Sequence, residues 1–334
     1  MATNYLYGTI LTGEAVAANN RGDNIGNTST LQKVFHQDDV HTSVSAESIR
    51  FAIRYRFQME LGEGKTNRTY DLNVGRVKFK DDKWETWKPN ADDVFIDDDL
   101  MGFMNASAAK KEKEEEQTEE NVSEGEEIKQ SEGGKKKSQG KPATKRQSPL
   151  AIGRAISLRP YRGELSYNST VRKDEKGKAA GLSLYNAEMH TTEYQYSFGL
   201  NLDDVIKKEN IGHLIDAIID PPQVAGNHAR FAYDFSPDSI VLRVTNAHSS
   251  KIQNCFEHDE DNRTFTVAKL IKRVEGKDIA PDEIIIGGEI ADTDEGKKLK
   301  ELGVSVFNGI QAAANEAQKR ITERLNKAGN QNGE

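Results

Sequence analysis

The sequence predicts an α+β fold, and three observations carry that prediction. Residues 5–13, YLYGTILTG, are dense in aromatic and β-branched residues and read as a strand. Residues 44–61, VSAESIRFAIRYRFQMEL, repeat Ile49, Ile53, Phe57 and Leu61 at i, i+4 spacing and read as a helix. Beyond residue 149, strand-like runs resume on both sides of a second helical pattern.

In chain order, the first strand is followed by AANNRGDNIGNTST, a polar stretch with Gly22 and Gly26 as breakers, expected to be a loop. The helix over 44–61 starts at Ser45, whose hydroxyl suits an N-cap. Short strands are expected over 66–88 around an Asp81-Asp82 turn. The acidic run Asp97-Asp98-Asp99 suits either a divalent-cation site or, more simply, an exposed or N-capping loop. Residues 105–148 hold ten Glu, ten Lys or Arg and no aromatic, with only Val122 and Ile128 as larger aliphatics. Such a stretch cannot bury enough apolar surface to offset the entropy of ordering it, so it is expected to be a disordered insertion or an interaction tail.

After that segment, AIGRAISLRPYRGELSYNST and AGLSLYNAEMHTTEYQYSFGL flank the turn-like RKDEKGK and predict a long hairpin. LDDVIKKENIGHLIDAIID (202–220) reads as a helix stopped by Pro221 and Pro222. Residues 230–235 and 239–245, then FTVAKLIKRV and EIIIGG, read as strands, and helices are expected near 293–302 and 308–327. The order is βαββαβ, with a large excursion between the first helix and the next core strand. That is a ferredoxin-like (RRM-like) palm carrying insertions, an architecture that also serves RNA recognition, although fold alone does not give function.

Composition narrows the function classes. The chain has 334 residues and a net charge of −8, with 35% hydrophobic and 30% charged residues. Its mean hydropathy is −0.75 and its pI about 5.6. Cys255 is the only cysteine, which excludes a disulfide scaffold and a cysteine-built zinc site. No run approaches the ~18 apolar residues of a membrane span, and the N-terminal stretch lacks the basic start of a signal peptide. The expected location is therefore cytoplasmic, with no membrane partner. An acidic total does not exclude a local basic groove, because binding follows the field at the site.

Catalytic signals are thin. GxxxxGK[ST], HExxH and GxSxG are all missing. The histidines are scattered; His190 and His228 lie in strand-like surroundings and are candidate neighbours, each more often structural or ligand-facing than catalytic. Cys255 and His258 have CxxH spacing but lack two further ligands. No catalytic residue, metal or cofactor is expected. Basic and amide-rich spots say more. Asn19, Asn20 and Arg21 follow the first strand and suit phosphate and 2′-hydroxyl contacts, or simply an Asx turn. Arg50 and Arg54 lie one helical turn apart beside the apolar stripe, placed to track a phosphate backbone or to form a solvated face. AGNHAR, with Gly226, Asn227, His228 and Arg230, suits a polyanion or a connecting turn.

These residues sit in stretches that together resemble one family. GTILTGEAVAANNRGDNIGNTSTLQKVF, TSVSAESIRFAIR, DDDLMGFM, RQSPLAIGRAISLRPYRGE, LYNAEMHTTEYQYSFGLNL and GNHARFAYDFSPDSIVLRV, in that order, resemble the DevR-type CRISPR-associated autoregulators, the backbone subunits of type I-B Cascade. The resemblance covers roughly residues 5–104 and 149–246. It implies a non-catalytic subunit that binds CRISPR guide RNA (crRNA), stacks head to tail with other copies of itself, and flips out one base per subunit. The bases between kinks are presented to target DNA, beside other Cascade subunits. It further implies a palm over 1–62 and 195–246, fingers over 63–104, fingers and thumb hairpin over 149–194, and a C-terminal region over 247–334 packed on the palm. Asn19, Asn20 and Arg21 match the family's RNA-contacting loop, and Ser45, Arg50 and Arg54 match its first helix. Two rival readings are an RNA-processing endonuclease of ferredoxin-like fold, relying on His190 or His228, and a DNA-binding regulator, for which no helix-turn-helix is evident.

Overall fold

The computed structural model describes residues 3–18, 21–88, 93–105, 145–173, 177–225, 233–259 and 264–330. The chain opens with strands β1 (Tyr5–Thr12), β2 (Ala15–Ala17), β3 (Arg21–Ile25), β4 (Thr28–Leu31), β5 (Lys33–His36) and β6 (Asp39–Val44), then helix α1 (Ala46–Leu61). Next come β7 (Arg68–Asp71), β8 (Arg76–Phe79), α2 (Ile96–Met101), β9 (Phe103–Met104) and β10 (Lys145–Arg146). They are followed by β11 (Leu150–Ile152), β12 (Ala155–Ser157), β13 (Glu164–Lys173), β14 (Ala179–Thr192), β15 (Tyr194–Asn201) and α3 (Glu209–Ile219). The chain closes with β16 (Pro237–Thr245), β17 (Glu257–Asp259), β18 (Thr264–Thr266), α4 (Ala268–Glu275), β19 (Ile284–Gly288), α5 (Asp294–Glu301), β20 (Ser305–Phe307) and α6 (Ile310–Asn330). The architecture is mixed α+β.

The chain divides into two units: residues 1–56 with 150–334, and residues 57–149. The first unit is built on a nine-stranded sheet ordered β20-β19-β16-β1-β15-β12-β6-β5, with β11 also pairing β15. β1 is central because its residues alternate so that Leu6 and Ile10 are fully buried, while Thr9 satisfies its hydroxyl on Ser197 Oγ (2.8 Å) and the Ile252 carbonyl (2.7 Å). β1 runs antiparallel to both β15 and β16, and β11 antiparallel to β15. Helix α6 packs on β16 and β19. A separate core gathers Leu11, Val241, Phe256, Leu270, Ile271, Val274, Ile286 and Leu299. A second sheet, β13-β14-β4-β3 with β2 on β14, carries the long β13–β14 hairpin that the sequence predicts.

Several expectations are corrected. The stretch 17–30 is not only loop: β3 and β4 pair across a turn at Gly26, whose φ of 59° glycine adopts without strain. β7 and β8 turn over at 72–75, not at Asp81-Asp82; the Asp81 carboxylate instead accepts from the backbone N–H groups of Glu85 (3.0 Å) and Thr86 (2.8 Å). The helix read over 202–220 begins only at Glu209, because Lys208 Nζ ties the carbonyls of Leu202, Asp203 and Val205 into a turn. FTVAKLIKRV is a strand only to Thr266 and then becomes α4, whose Leu270, Ile271 and Val274 share one buried face. Of the strand read over 230–235, Tyr233–Phe235 forms no strand, and 230–232 lies outside the described residues. The low-complexity reading of 105–148 is too wide, since Lys145–Arg146 pairs with Phe103–Met104; residues 106–144 lie outside the described residues.

The second unit holds the largest surprise. Asp97, Asp98 and Asp99 form neither an exposed loop nor a cation site: they are part of α2 and are 1%, 1% and 0% exposed. Asp97 accepts from the backbone N–H of Asn67 (2.7 Å) and Arg68 (3.0 Å), Asp98 from Asn67 Nδ2 (2.8 Å), and Asp99 pairs with Arg146 (2.9 Å). Such bonds offset the burial of Asp97 and Asp99, whereas Asp98 Oδ1 accepts none among the described residues. Trp84 stacks on Phe103 at 4.7 Å, and Arg146 lies 4.8 Å over Trp87.

Candidate nucleic-acid interface

Helix α1 begins where the sequence places it. Ser45 Oγ accepts from the Ser48 backbone N–H (3.2 Å), and the Ser45 carbonyl accepts from Ile49 N–H (3.3 Å). Ile49, Ala52, Ile53 and Phe57 are buried to within 2% exposure, which fixes the rotation of the helix about its axis. That rotation leaves Arg50 and Arg54 half-buried, one turn apart beside the core stripe. Arg50 Nη1 donates to the Leu150 carbonyl (3.2 Å), which braces its guanidinium against β11. Arg56, two residues on, pairs with the exposed Asp220 (3.0 Å), a contact worth little in water.

Arg21 opens β3 opposite Leu31. Asn19, Asn20, Gly226, Asn227, His228 and Arg230 lie outside the described residues, as does the pairing of His190 with His228. Their flanks are placed. Tyr233, three residues past Arg230, is 3% exposed and joins Thr12 Oγ1 (2.8 Å), the Gly13 carbonyl (3.0 Å) and the Thr192 carbonyl (2.9 Å). Tyr233 itself is thus tied to the C-terminal end of β1.

The β13–β14 hairpin supplies what sequence reasoning missed. Its register places Tyr167, Val171, Leu182 and Leu184 on one face, and these are 81%, 57%, 66% and 68% exposed. The alternation of Leu165, Tyr167 and Val171 with polar residues was a legible signal for that face. At the base of the hairpin His190 is buried, with Nδ1 against Thr42 Oγ1 (2.8 Å), and Thr42 Oγ1 also meets the Tyr194 hydroxyl (2.8 Å). Burial lowers the His190 pKa to about 4, so its imidazole is neutral near pH 7. A buried, neutral, hydrogen-bonded ring is a poor general acid. Cys255 is also buried, and desolvation pushes its thiol up to about 12, so the CxxH pair with His258 offers no thiolate.

The sequence profile described as "CRISPR-associated negative auto-regulator DevR/Csa2" matches residues 10–321. The chain is 31% identical over 325 residues to a "CRISPR-associated protein Cas7/Cst2/DevR" of Myxococcus xanthus (strain DK1622), spanning 96% of this chain and 98% of that protein. The chain belongs to the DevR/Csa2 family. Two solved structures share the fold. A chain of a "CRISPR RNA-guided surveillance complex, pre-nicking" matches with a TM-score of 0.61 at 13% identity, over 95% of this chain and 100% of that one. A chain of a "CRISPR RNA-guided surveillance complex" matches with a TM-score of 0.53 at 14% identity, over 95% of this chain and 99% of that one. As a member of this family the chain is a non-catalytic, crRNA-binding backbone subunit of a Cascade complex.

Proposed function

We propose that the chain is the repeating backbone of a type I-B-like Cascade, assembling head to tail along the guide and holding it for pairing with target DNA. The unit β1–α1–β11–β15–α3–β16 is read as a ferredoxin-like palm. The sheet order β16-β1-β15-β11, all antiparallel, with α1 and α3 in the crossovers, supports that reading. The β13–β14 hairpin is read as the thumb that kinks the guide, and residues 63–104 as fingers. Asn19, Asn20, Arg21, Gly226, Asn227, His228 and Arg230 are read as further guide contacts, and the complex as cytoplasmic.

The observation that carries the proposal is the pair Arg50 and Arg54, set one turn apart on a helix whose apolar face is locked into the core. Fixed cations at that spacing neutralise phosphates without reading bases, so sequence reading is left to base pairing. The Arg50→Ala/Arg54→Ala double variant tests it. On single-stranded guide the salt slope of binding falls by about 0.7 for each phosphate that is no longer neutralised. The decrease is the same for two guides of unrelated spacer sequence, and assembly on the guide fails before the monomer unfolds. Unchanged assembly with an unchanged slope would falsify the placement of the groove.

A further inference from the structure

Asn308 and Gly309 stand together on the exposed bend between β20 and α6. An asparagine side chain carries an electrophilic carbon, Cγ, within ring-closing reach of the backbone nitrogen of the next residue. The Cβ of that next residue ordinarily hinders the approach, and glycine has none. Among the described residues this is the one Asn-Gly pair.

The local structure leaves the two reacting atoms uncovered. The place where a Gly309 side chain would stand has nothing within 4 Å of it. The Gly309 N–H and Asn308 Oδ1 have no hydrogen-bond partner among the described residues. The amide is held on one side only, where Asn308 Nδ2 donates to Asp292 Oδ1 (2.9 Å). Asn67 shows the opposite case. It is fully buried and is bound at both ends of its amide, Nδ2 donating to the Asp81 carbonyl (3.0 Å) and Oδ1 accepting from the Asp81 N–H (2.9 Å).

We propose that Asn308 is a site of spontaneous covalent modification, in which the Gly309 nitrogen attacks Asn308 Cγ. The N–Cγ bond forms, and the Gly309 N–H proton passes to water. The side-chain nitrogen takes a proton from water and leaves as ammonia. Water then opens the cyclic imide at either carbonyl, giving aspartate or isoaspartate, and no oxidant or reductant takes part.

The two products differ in their effect on the fold. Aspartate sets a carboxylate against Asp292, yet near the positive end of α6. On an exposed bend both effects are small and of opposite sign. Isoaspartate routes the main chain through the former side chain, which adds a backbone atom just before Gly309. The Gly309 carbonyl now accepts the Ala313 N–H (3.2 Å) and lies close to Gly287 of β19, where a Cβ would be only 3.1 Å from it. The lengthened chain cannot keep both positions, so isoaspartate frays the first turn of α6, the helix that packs on β16 and β19.

The test incubates the full chain at mildly alkaline pH beside the free peptide SVFNGIQA, until that peptide has reacted. Peptide mapping by mass, with enzymatic methylation of isoaspartyl carboxyl groups, reads the products. The native chain should lose the peptide carrying Asn308 and gain its aspartyl and isoaspartyl forms. Gly309→Ala should suppress both. Alanine is compatible with the fold there, because its Cβ meets open space and Gly309 does not use a left-handed φ. Hydrogen exchange at the Ala313 amide should quicken in the isoaspartyl fraction and stay native-like in Asn308→Asp. An Asn308 left intact after the free peptide has reacted overturns the proposal. So does modification that proceeds at the native rate in Gly309→Ala. An Ala313 amide equally protected in fresh and isoaspartyl protein overturns the effect assigned to α6.

Discussion

Lowering the pH from neutral toward about 5 should make the second unit more stable, and Asp98 is the reason. Its carboxyl is 1% exposed, and burial, with the neighbouring Asp97 charge, raises its pKa from 3.8 to about 6. The Trp84 and Asn67 side chains work in the opposite direction without winning. A carboxyl with a raised folded pKa binds its proton more tightly in the folded state, so stability rises as pH falls through 6 and levels off below 3.8. The full difference is about 3 kcal/mol, at 1.36 kcal/mol per pKa unit, of which about 1 kcal/mol is gained between neutral pH and about pH 5. Asp71 and Asp81, whose pKa values are lowered in the same unit, withdraw stability only below 3.8 and leave this window clear. In the first unit, His190 acts with the opposite sign, since a lowered histidine pKa costs stability as pH falls below 6.5. The assay must therefore see one unit alone. Both tryptophans of the chain, Trp84 and Trp87, lie in the second unit, so indole fluorescence during urea unfolding reports it. The urea midpoint should rise by about 0.5 M at the lower pH. The Asp98→Asn variant, with nothing to titrate there, should show no rise. A native midpoint that stays level or falls, or a variant that keeps the same gain, refutes the reasoning.

Tyr233→Phe removes the donor shared by the Gly13 and Thr192 carbonyls at a site 3% exposed, and should cost about 1–3 kcal/mol in chemical unfolding. Because Tyr233 follows Asn227 and Arg230 closely in the chain, guide affinity should fall with it, measured by a salt-series titration. Replacing residues 106–144 with a short Gly/Ser bridge should leave the thermal midpoint within a few degrees of native, because Met104 and Lys145 are already ladder partners and the ends to be joined are adjacent.

Much of the first unit was legible because its signals are local. Ser45 followed by Ile49, Ile53 and Phe57 contains both a helix start and its buried face. EIIIGG and the alternating arms of the 164–192 hairpin likewise state their own conformation. The stretch 264–275 misled because Phe265 and Val267 favour a strand, while the helical spacing of Leu270, Ile271 and Val274 depends on the core that α4 faces. Asp97–Asp99 misled for a different reason. A charge run is ordinarily solvated, and its burial is decided by Asn67 and Arg146, which stand 30 to 47 residues away along the chain.

The position of β1 has a consequence for how the protein is made. Tyr5 pairs with Asn201 on one side and Thr245 on the other, so β1 is completed by two strands made much later than itself. At about 5–20 residues per second, β1 waits on the order of 10–40 s for β15, and longer for β16. Throughout that interval a β-rich segment with both edges unpaired is exposed to neighbouring nascent chains. The protein's yield should therefore be sensitive to chaperone supply and elongation rate. Slower synthesis would lengthen the exposure of β1 and reduce the fraction of chains that reach the folded pool.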